Sequence, residues 1–341
     1  MASITIKEIE NKDEWESFVL AYKNANFLHS WYWGEFHKNL GKKIFRLGIY
    51  KDEMLVGVLL MIAEEAKRGK HFLVPAGPLI DWSDIDVVGK VIEEIKNCAK
   101  KEKIVFVRVR PQLYNTKENI DLFSKLGFKY APTHLHAELT SEIQLDKTSD
   151  EIFANMRKQT RAEIKKAKNL GIEISSSESP DEMKGFYDRE VETANRQGFV
   201  PFSYKFLHEQ FKVFVGAGCV KLYTAKYEGQ ILAQAFVIFY GKEAAYHYGV
   251  STEMGRKYPG AYALQWQIIQ DAKERGMNTY NLWGVAPIGE KKHRFYPISI
   301  FKRGFGGEER EYLHARDLVI NPIKYISSYL VEYVRNKRRG L

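Results

Sequence analysis

Ile49-Tyr50-Lys51-Asp52-Glu53-Met54-Leu55-Val56-Gly57-Val58 reads as strand, tight acidic turn, strand, and Ala225-Lys226-Tyr227-Glu228-Gly229-Gln230-Ile231-Leu232-Ala233-Gln234 repeats it. Acidic or glycine residues between apolar, β-branched and aromatic runs mark a hairpin. The offset between the two is 225 − 49 = 176 residues. Downstream, Phe123-Ser124-Lys125-Leu126-Gly127-Phe128 is echoed by Phe301-Lys302-Arg303-Gly304-Phe305, an offset of 301 − 123 = 178. A steady offset over half a chain predicts a duplicated folding unit. Two copies of one scaffold are free to diverge, one keeping chemistry while the other holds a substrate.

Working outward, helices are expected over 13–25 and 33–40, the second capped by Ser30, followed by the hairpin over 44–63. Val87, Val91, Ile95 and Cys98 recur at helical spacing within 84–101. An alternating strand over 104–109 should stop at Pro111, and a short helix over 120–126 should end at Gly127. The second half repeats the order: helices over 150–169 and 180–197, strands over 219–240 and 244–249, a helix over 260–275 and a strand over 280–284. A last helix follows Pro322 over 323–336. The class is mixed α/β, with no low-complexity linker between the halves.

Composition agrees. The 341 residues are 45% hydrophobic and 28% charged, enough for about two globular domains with real cores. The longest apolar stretch, 56–63, is far short of the ~20 residues that span a bilayer, and no secretory leader is expected at the start. Two cysteines, Cys98 and Cys219, make no disulfide framework. With scattered histidines and no HExxH, neither a metal nor another cofactor is expected, and a cytoplasmic location is. A net charge of +9 favours anionic partners such as nucleic acid, phosphorylated metabolites or an anionic membrane face.

Four segments can carry chemistry. Arg157, Arg161, Lys165 and Lys168 fall at i, i+4, i+8 and i+11, one helix face that could meet phosphates, although such faces also occur as plain solvated surface. Arg256-Lys257-Tyr258-Pro259-Gly260-Ala261-Tyr262 opens a helix where an acyl-CoA enzyme would cradle pyrophosphate. Its first position is altered and Tyr262 is bulky where backbone must approach phosphate, which argues against acetyl-CoA; an ordinary helix start with proline near N1 is the other reading. In Ile300-Phe301-Lys302-Arg303-Gly304-Phe305-Gly306-Gly307, Lys302 is expected at a strand edge, where it could stabilise the oxyanion of an acyl transfer or be a solvent lysine on a bulge. The aromatic residues Trp31, Tyr32, Trp33, Phe36, Trp266, Tyr280 and Trp283 are core or pocket lining.

These pieces occur together with Leu28-His29-Ser30, Trp33-Gly34-Glu35-Phe36, Met156 to Gly171, Thr193-Ala194-Asn195-Arg196-Gln197-Gly198-Phe199, Ala263-Leu264-Gln265-Trp266 and Tyr280-Asn281-Leu282-Trp283-Gly284-Val285. In that order and over nearly the whole chain, the set resembles the Fem family of peptidoglycan bridge-forming aminoacyltransferases, in a compact form without the helical hairpin insertion of larger members. The resemblance implies two tandem GNAT-like domains: 1–146, closed by the C-terminal segment 316–341, and 147–315. It implies transfer of an amino acid from aminoacyl-tRNA to a stem-peptide amine of a UDP-linked or lipid-linked muropeptide precursor. Aminoacyl-tRNA would then be a co-substrate, with no cofactor.

Carried over residue by residue, the resemblance gives Lys302 the catalytic lysine position with Phe301 stacked on it. It places the phosphate-binding slot of the first domain on His37, with Lys38 adjacent. Arg196, Tyr204 and Trp283 are expected at the substrate, and Arg157, Arg161 and Lys165 at tRNA phosphates; the leaving ribose oxygen can take its proton through the substrate or through a tyrosine such as Tyr258. His37 and Arg110 depart from the family's lysine and acidic residue, and Pro201-Phe202-Ser203-Tyr204 lacks an expected arginine. An acyl-CoA-dependent N-acyltransferase on the same fold is the alternative, and a non-catalytic RNA- or membrane-binding protein a third reading. The last helix, with Ile323, Ile326, Leu330 and Val334 apolar and 335–339 rich in basic residues, is suited to peripheral contact with the inner membrane face, though such helices more often pack on their own domain.

Overall fold

The computed structural model describes residues 3–66 and 69–339, with the side chains of all of these except Gln197, Arg338 and Arg339. The chain divides into two compact units. One is Met1–Leu139 with Pro287–Arg294 and Arg310–Leu341; the other is Thr140–Ala286 with Phe295–Glu309.

In chain order the strands are β1 (Ile4–Glu8), β2 (Ile44–Lys51), β3 (Met54–Ala66), β4 (Gly69–Pro75), β5 (Ile104–Arg110), β6 (Lys129–Tyr130), β7 (Leu139–Gln144), β8 (Glu173–Ser177), β9 (Val220–Tyr227), β10 (Gln230–Tyr240), β11 (Glu243–Ser251), β12 (Thr279–Gly284), β13 (Glu308–Glu311) and β14 (Arg316–Val319). They form two seven-stranded mixed sheets, ordered β1-β2-β3-β4-β5-β14-β6 and β13-β7-β12-β11-β10-β9-β8.

The two hairpins match in detail. Their turns are Asp52-Glu53, with φ of 47° and 69°, and Glu228-Gly229, with 48° and 74°. Positive φ at both central residues is the turn whose twist suits the flanking strands. In each hairpin the register slips two residues beyond the turn. Tyr50 faces Leu55 and Ile49 faces Gly57, so Val56 is the extra residue. Lys226 faces Ile231 and Ala225 faces Ala233, so Leu232 is. The offset 232 − 56 is again 176, so the repeat extends to the bulge.

Each sheet buries one face against a helix that crosses between parallel strands. In the first unit Val87, Val91, Ile95 and Ala99 of helix Ile85–Lys101 pack on Leu59, Met61, Phe72, Val74 and Val107. Asp84 caps this helix by accepting from the N–H of Val87. In the second, Leu264, Ile268, Ile269 and Ala272 of helix Gly260–Glu274 pack on Ala233, Ala235, Val237 and Tyr280.

β5 is not the half-exposed strand its alternation predicts. All seven of its residues are buried, because β4 and β14 flank it and helix Pro322–Arg339 packs Tyr325 against Val105 and Phe106. Arg108 is tolerated there because Asp317 on β14 accepts from its Nε and Nη2 at 2.8 Å each. Glu332 takes Nη1 at 2.8 Å, and Tyr325 donates to Asp317 at 2.9 Å. A buried guanidinium needs such pairing.

The Leu28-His29-Ser30 motif is also architectural. His29 Nε2 accepts from the N–H of Leu60 at 3.1 Å, leaving Nδ1–H to donate to the carbonyl of Pro75 at 2.8 Å. Burial pushes its pKa down to about 4. Gly77 lies against the ring; a Cβ there would come within 2.1 Å of it.

One helical expectation is corrected and one helix is added. The single helix expected over 150–169 is two, Ser149–Asn155 and Lys158–Leu170, because Met156 and Arg157 adopt extended backbone with ψ of 150° and 141°. A helix absent from the sequence reading, Tyr204–Gly216, is capped by Ser203 and buries Leu207, Gln210, Phe211 and Phe214.

Candidate active site

The two sheets differ at their parallel strand pair. β4 and β5 stay paired from Lys70–Ile104 to Pro75–Arg110, across one register shift between Lys70 and Phe72. β11 and β12 pair only at Glu243–Thr279, Ala244–Tyr280 and Ala245–Asn281, and then part. Two irregularities open this wedge. His247 is the extra residue of a bulge in β11, between Tyr246 paired with Val237 and Tyr248 paired with Phe236. Trp283 takes a φ of 66°, with its N–H donated to Asn281 Oδ1 at 2.8 Å. A bulky residue in the left-handed region is strained, and such strain gathers at functional sites.

Lys302 enters the wedge from helix Tyr296–Arg303, not from a strand edge; Pro297 in its first turn and Ser299 bonded back to the carbonyl of Phe295 at 2.6 Å favour helix here. Ser299, Lys302 and Arg303, at i, i+3 and i+4, share one face that grips the backbone beyond β12. Ala286 donates to Ser299 Oγ at 2.7 Å, Lys302 Nζ donates to the carbonyl of Gly284 at 2.7 Å, and Arg303 Nη2 donates to that of Ala286 at 2.5 Å. Arg303 is held in turn by Glu309.

Lys302 is 7% exposed, and burial pushes its pKa down to about 7. An ammonium so placed is short of solvation, so it gains from any negative charge that forms beside it. The expected stack with Phe301 is replaced: the ring facing Nζ is Tyr246, 5.8 Å to its centroid, whose own pKa burial pushes up to about 12. Phe301, on another face of the helix, packs on Tyr262 and Phe305 at 5.0 and 5.2 Å between centroids.

The glycines of this motif serve close approach. A Cβ on Gly304 would sit 2.4 Å from Thr160 Oγ1, and one on Gly306, with φ of 78°, 2.6 Å from the carbonyl of Asn155. They let the segment clamp the break between the two helices, where the N–H of Arg157 donates to Gly304 at 2.9 Å and Asn155 Nδ2 to Gly306 at 2.8 Å.

The other sequence-derived positions scatter over the units. Trp283 joins Lys302 at the wedge, its ring 5.2 Å from His247. Tyr258 packs on Tyr227 beside the hairpin tip, 4.7 Å between centroids. Arg196 donates to the carbonyl of Ser251, the last residue of β11, at 2.8 Å. Tyr204 lies between Tyr187 and His208.

Arg157 lies outside the helical face expected for it and donates to the carbonyl of Ile300 at 3.3 Å. Arg161 caps the carbonyls of Ala154 and Met156 and is half-buried, while Arg157, Lys165 and Lys168 are exposed. In the first unit His37 is buried against Trp33 and Phe36, with Nδ1 unpaired. Burial first and Lys42 second push its pKa down to about 3, while Lys38 beside it is exposed. Arg110 is held inside that unit by Gln112, the carbonyl of Ala137 and the ring of Tyr312.

Sequence reasoning missed three residues at or near the wedge. Tyr246 and His247 lie in the run Tyr246-His247-Tyr248, which reads as ordinary strand; the bulge that separates them is a matter of register. Glu190 accepts from the backbone of Phe202 and has Oε2 buried without a partner, and burial pushes its pKa up to about 7. Its charge acts on Tyr248.

Gly255 and Gly260 both abut Leu232, the bulge residue of the second hairpin; added Cβ atoms would come within 2.0 and 2.6 Å of it. Packing therefore accounts for the glycine of the candidate pyrophosphate loop. Among the described residues no His, Cys, Asp and Glu cluster could hold a metal, and no helix is long and apolar enough to cross a membrane.

A solved structure of FemX superposes with a TM-score of 0.85 at 18% identity, covering 96% of this chain and 100% of that one. A tandem GNAT protein from the clavulanic acid biosynthesis pathway gives 0.61 at 10% identity, covering 94% and 99%. At such identities the likeness is one of fold. Among curated proteins, Lipid II:glycine glycyltransferases of Staphylococcus haemolyticus (strain JCSC1435) and Staphylococcus aureus (strain USA300) are 21% and 19% identical, each over 94% of both chains. The FemAB family model matches residues 10–226 and 217–333, and the chain therefore belongs to the FemAB family.

Proposed function

We propose that this aminoacyltransferase moves an amino acid from aminoacyl-tRNA to the stem-peptide amine of a lipid-linked peptidoglycan precursor. The observation that carries the reading is Lys302: a buried cation on the broken parallel pair of the second unit, in a chain of this family. The relatives' names favour lipid II as acceptor. The net charge of +9 suits a tRNA donor and a phosphorylated acceptor.

The chemistry balances without further reactants. The neutral acceptor amine attacks the ester carbonyl of the aminoacyl group and forms the C–N bond. The C–O bond to the terminal ribose breaks, and the proton shed by the amine ends on the ribose oxygen. Lys302, as ammonium, stabilises the oxyanion formed in between. Tyr246, held neutral by its raised pKa, offers a hydroxyl as a second donor. Trp283, Arg196 and Tyr204 are proposed along the substrate and Tyr258 as a route for the proton. Lys38, rather than the buried neutral His37, is the better cation for the precursor's phosphates. Lys165 supplies an exposed charge for tRNA.

The test mixes the protein with tRNA charged with labelled amino acids and a lipid-linked muramyl pentapeptide. A mass gain on the peptide, abolished by RNase and lost in Lys302→Ala, is expected. No gain with lipid-linked or UDP-linked acceptor, together with acyl transfer from acyl-CoA, would overturn the reading.

A further inference from the structure

Helix Pro322–Arg339 turns an apolar stripe outward. Ile323 is 85% exposed, Ile326 60%, Leu330 55%, Tyr333 51% and Val334 45%. At 100° per residue they fall within one band about a third of the helix circumference wide. The opposite side is committed to the first unit. Tyr325 packs on Phe106 at 5.4 Å, Glu332 pairs with Arg108 at 2.8 Å, and Asn336 donates to the carbonyl of Pro132 at 2.8 Å.

That division also sorts the charges. Glu332 is the helix's one acidic residue, and it is spent on Arg108. Lys337 is exposed at the C-terminal end of the stripe, and Lys324 and Arg335 are exposed on the flank beyond its Val334 edge, about 80–100° around the helix, ahead of Arg338 and Arg339, whose side chains lie outside the described residues. Among the described side chains of the helix the exposed charges are thus all basic, one at the end of the apolar stripe and two on its flank. A face built for a second protein would match a partner's mixed charge. An apolar band with a purely basic border matches an anionic bilayer, where the side chains enter the acyl boundary and the cations meet headgroup phosphates.

We infer that the outward face of helix Pro322–Arg339 docks this protein on an anionic lipid surface. The inference deepens the proposed function, since a lipid-linked acceptor is met at such a surface, but docking itself needs no transfer chemistry.

Flotation of the full chain with vesicles of phosphatidylcholine alone, or with 3:7 phosphatidylglycerol, tests it. The protein should partition onto the anionic vesicles and not the neutral ones, and added salt should weaken binding. Ile326→Glu with Leu330→Glu should lower partitioning at least tenfold, and Arg335→Glu with Lys337→Glu severalfold. These positions are exposed, so melting temperatures should hold.

Lys302→Ala should float like the wild type, which separates failure of docking from failure of catalysis. With a soluble UDP-linked acceptor, the Ile326 and Leu330 variant should transfer at the wild-type rate. Equal binding to both vesicle types, no binding to either, or a concentration-dependent dimer abolished by Ile326→Glu without vesicle binding would each overturn the proposal. The last outcome would assign the face to a second copy of the chain.

Discussion

The first sheet keeps its parallel pair zipped from Lys70 to Pro75, while the second lets go after Ala245. The hairpins beside them are superimposable in turn, register and bulge. Duplication therefore preserved the hairpin of each sheet and changed the part where strands can separate. In the first unit His29 ties β3 to β4, and Arg108 and Arg110 are buried along β5. In the second, the strands separate around Tyr246, His247, Trp283 and one lysine. Buried polar groups occur in both, but His29 and Arg108 of the first are paired into the frame, and Lys302 has a single carbonyl.

The largest effect should come from breaking the frame of the first unit. Asp317→Ala leaves Arg108 with Glu332 alone and should cost about 3–5 kcal/mol, read as a drop in the urea midpoint. An unchanged midpoint would mean that the Arg108 cluster is not what holds β14.

Next comes Lys302→Met. Transfer should fall by about 10²–10³-fold, yet the fold should gain stability. Its folded pKa of about 7 lies below the 10.5 of an exposed lysine. Below pH 7 the ammonium is buried at full cost; between about 7 and 10.5 the unfolded chain holds more protons, so stability rises with pH. The variant should therefore melt higher, by roughly 1–2 kcal/mol near neutral pH. If it melts lower, the bond to Gly284 outweighs the desolvation. In the wild type, kcat/KM should decline as pH rises through about 7, because the ammonium is the working form.

Acid should weaken both units, the first more than the second. His29, His37 and His247 have pKa values pushed by burial to about 4, 3 and 3, below the ordinary 6.5. As pH falls below 6.5 the unfolded chain takes up protons first, so stability is full above that value and drains away toward pH 4. A melting temperature flat from pH 7.5 to 4.5 would contradict this.

The smallest effect sharpens the comparison most. Glu53 and Gly229 occupy the same turn position at φ of 69° and 74°. Glu53→Gly should stabilise by about 0.5–1 kcal/mol and Gly229→Ala destabilise by about 1 kcal/mol. Equal and opposite shifts would show that the two turns are energetically one turn.

The duplication was legible because hairpin turns and helix ends are written in local residue types. Ser30, Asp84 and Gly127 mark boundaries that the structure keeps within a few residues. Lys302 was legible as a candidate, but its helix was not, since Phe-Lys-Arg-Gly-Phe-Gly-Gly reads equally as a bulge. The break at Met156-Arg157 has no proline or glycine to announce it; it is imposed by the clamp of Gly304 and Gly306, about 150 residues away. Helix Tyr204–Gly216 did carry a signal, Ser203 followed by Leu207, Phe211 and Phe214 at helical spacing. The wedge left no local trace, because it depends on where two distant strands stop pairing.

One feature of the first sheet has a temporal meaning. β14 lies between β5 and β6, yet it is made some two hundred residues after β5. On the ribosome, β6 has no neighbour until Arg316–Val319 emerges, and Arg108 has no counter-ion. Every strand of the second sheet has by then been synthesised. The half of the protein that starts first is thus finished last, and its exposed β5 edge is the surface most in need of protection while the chain grows.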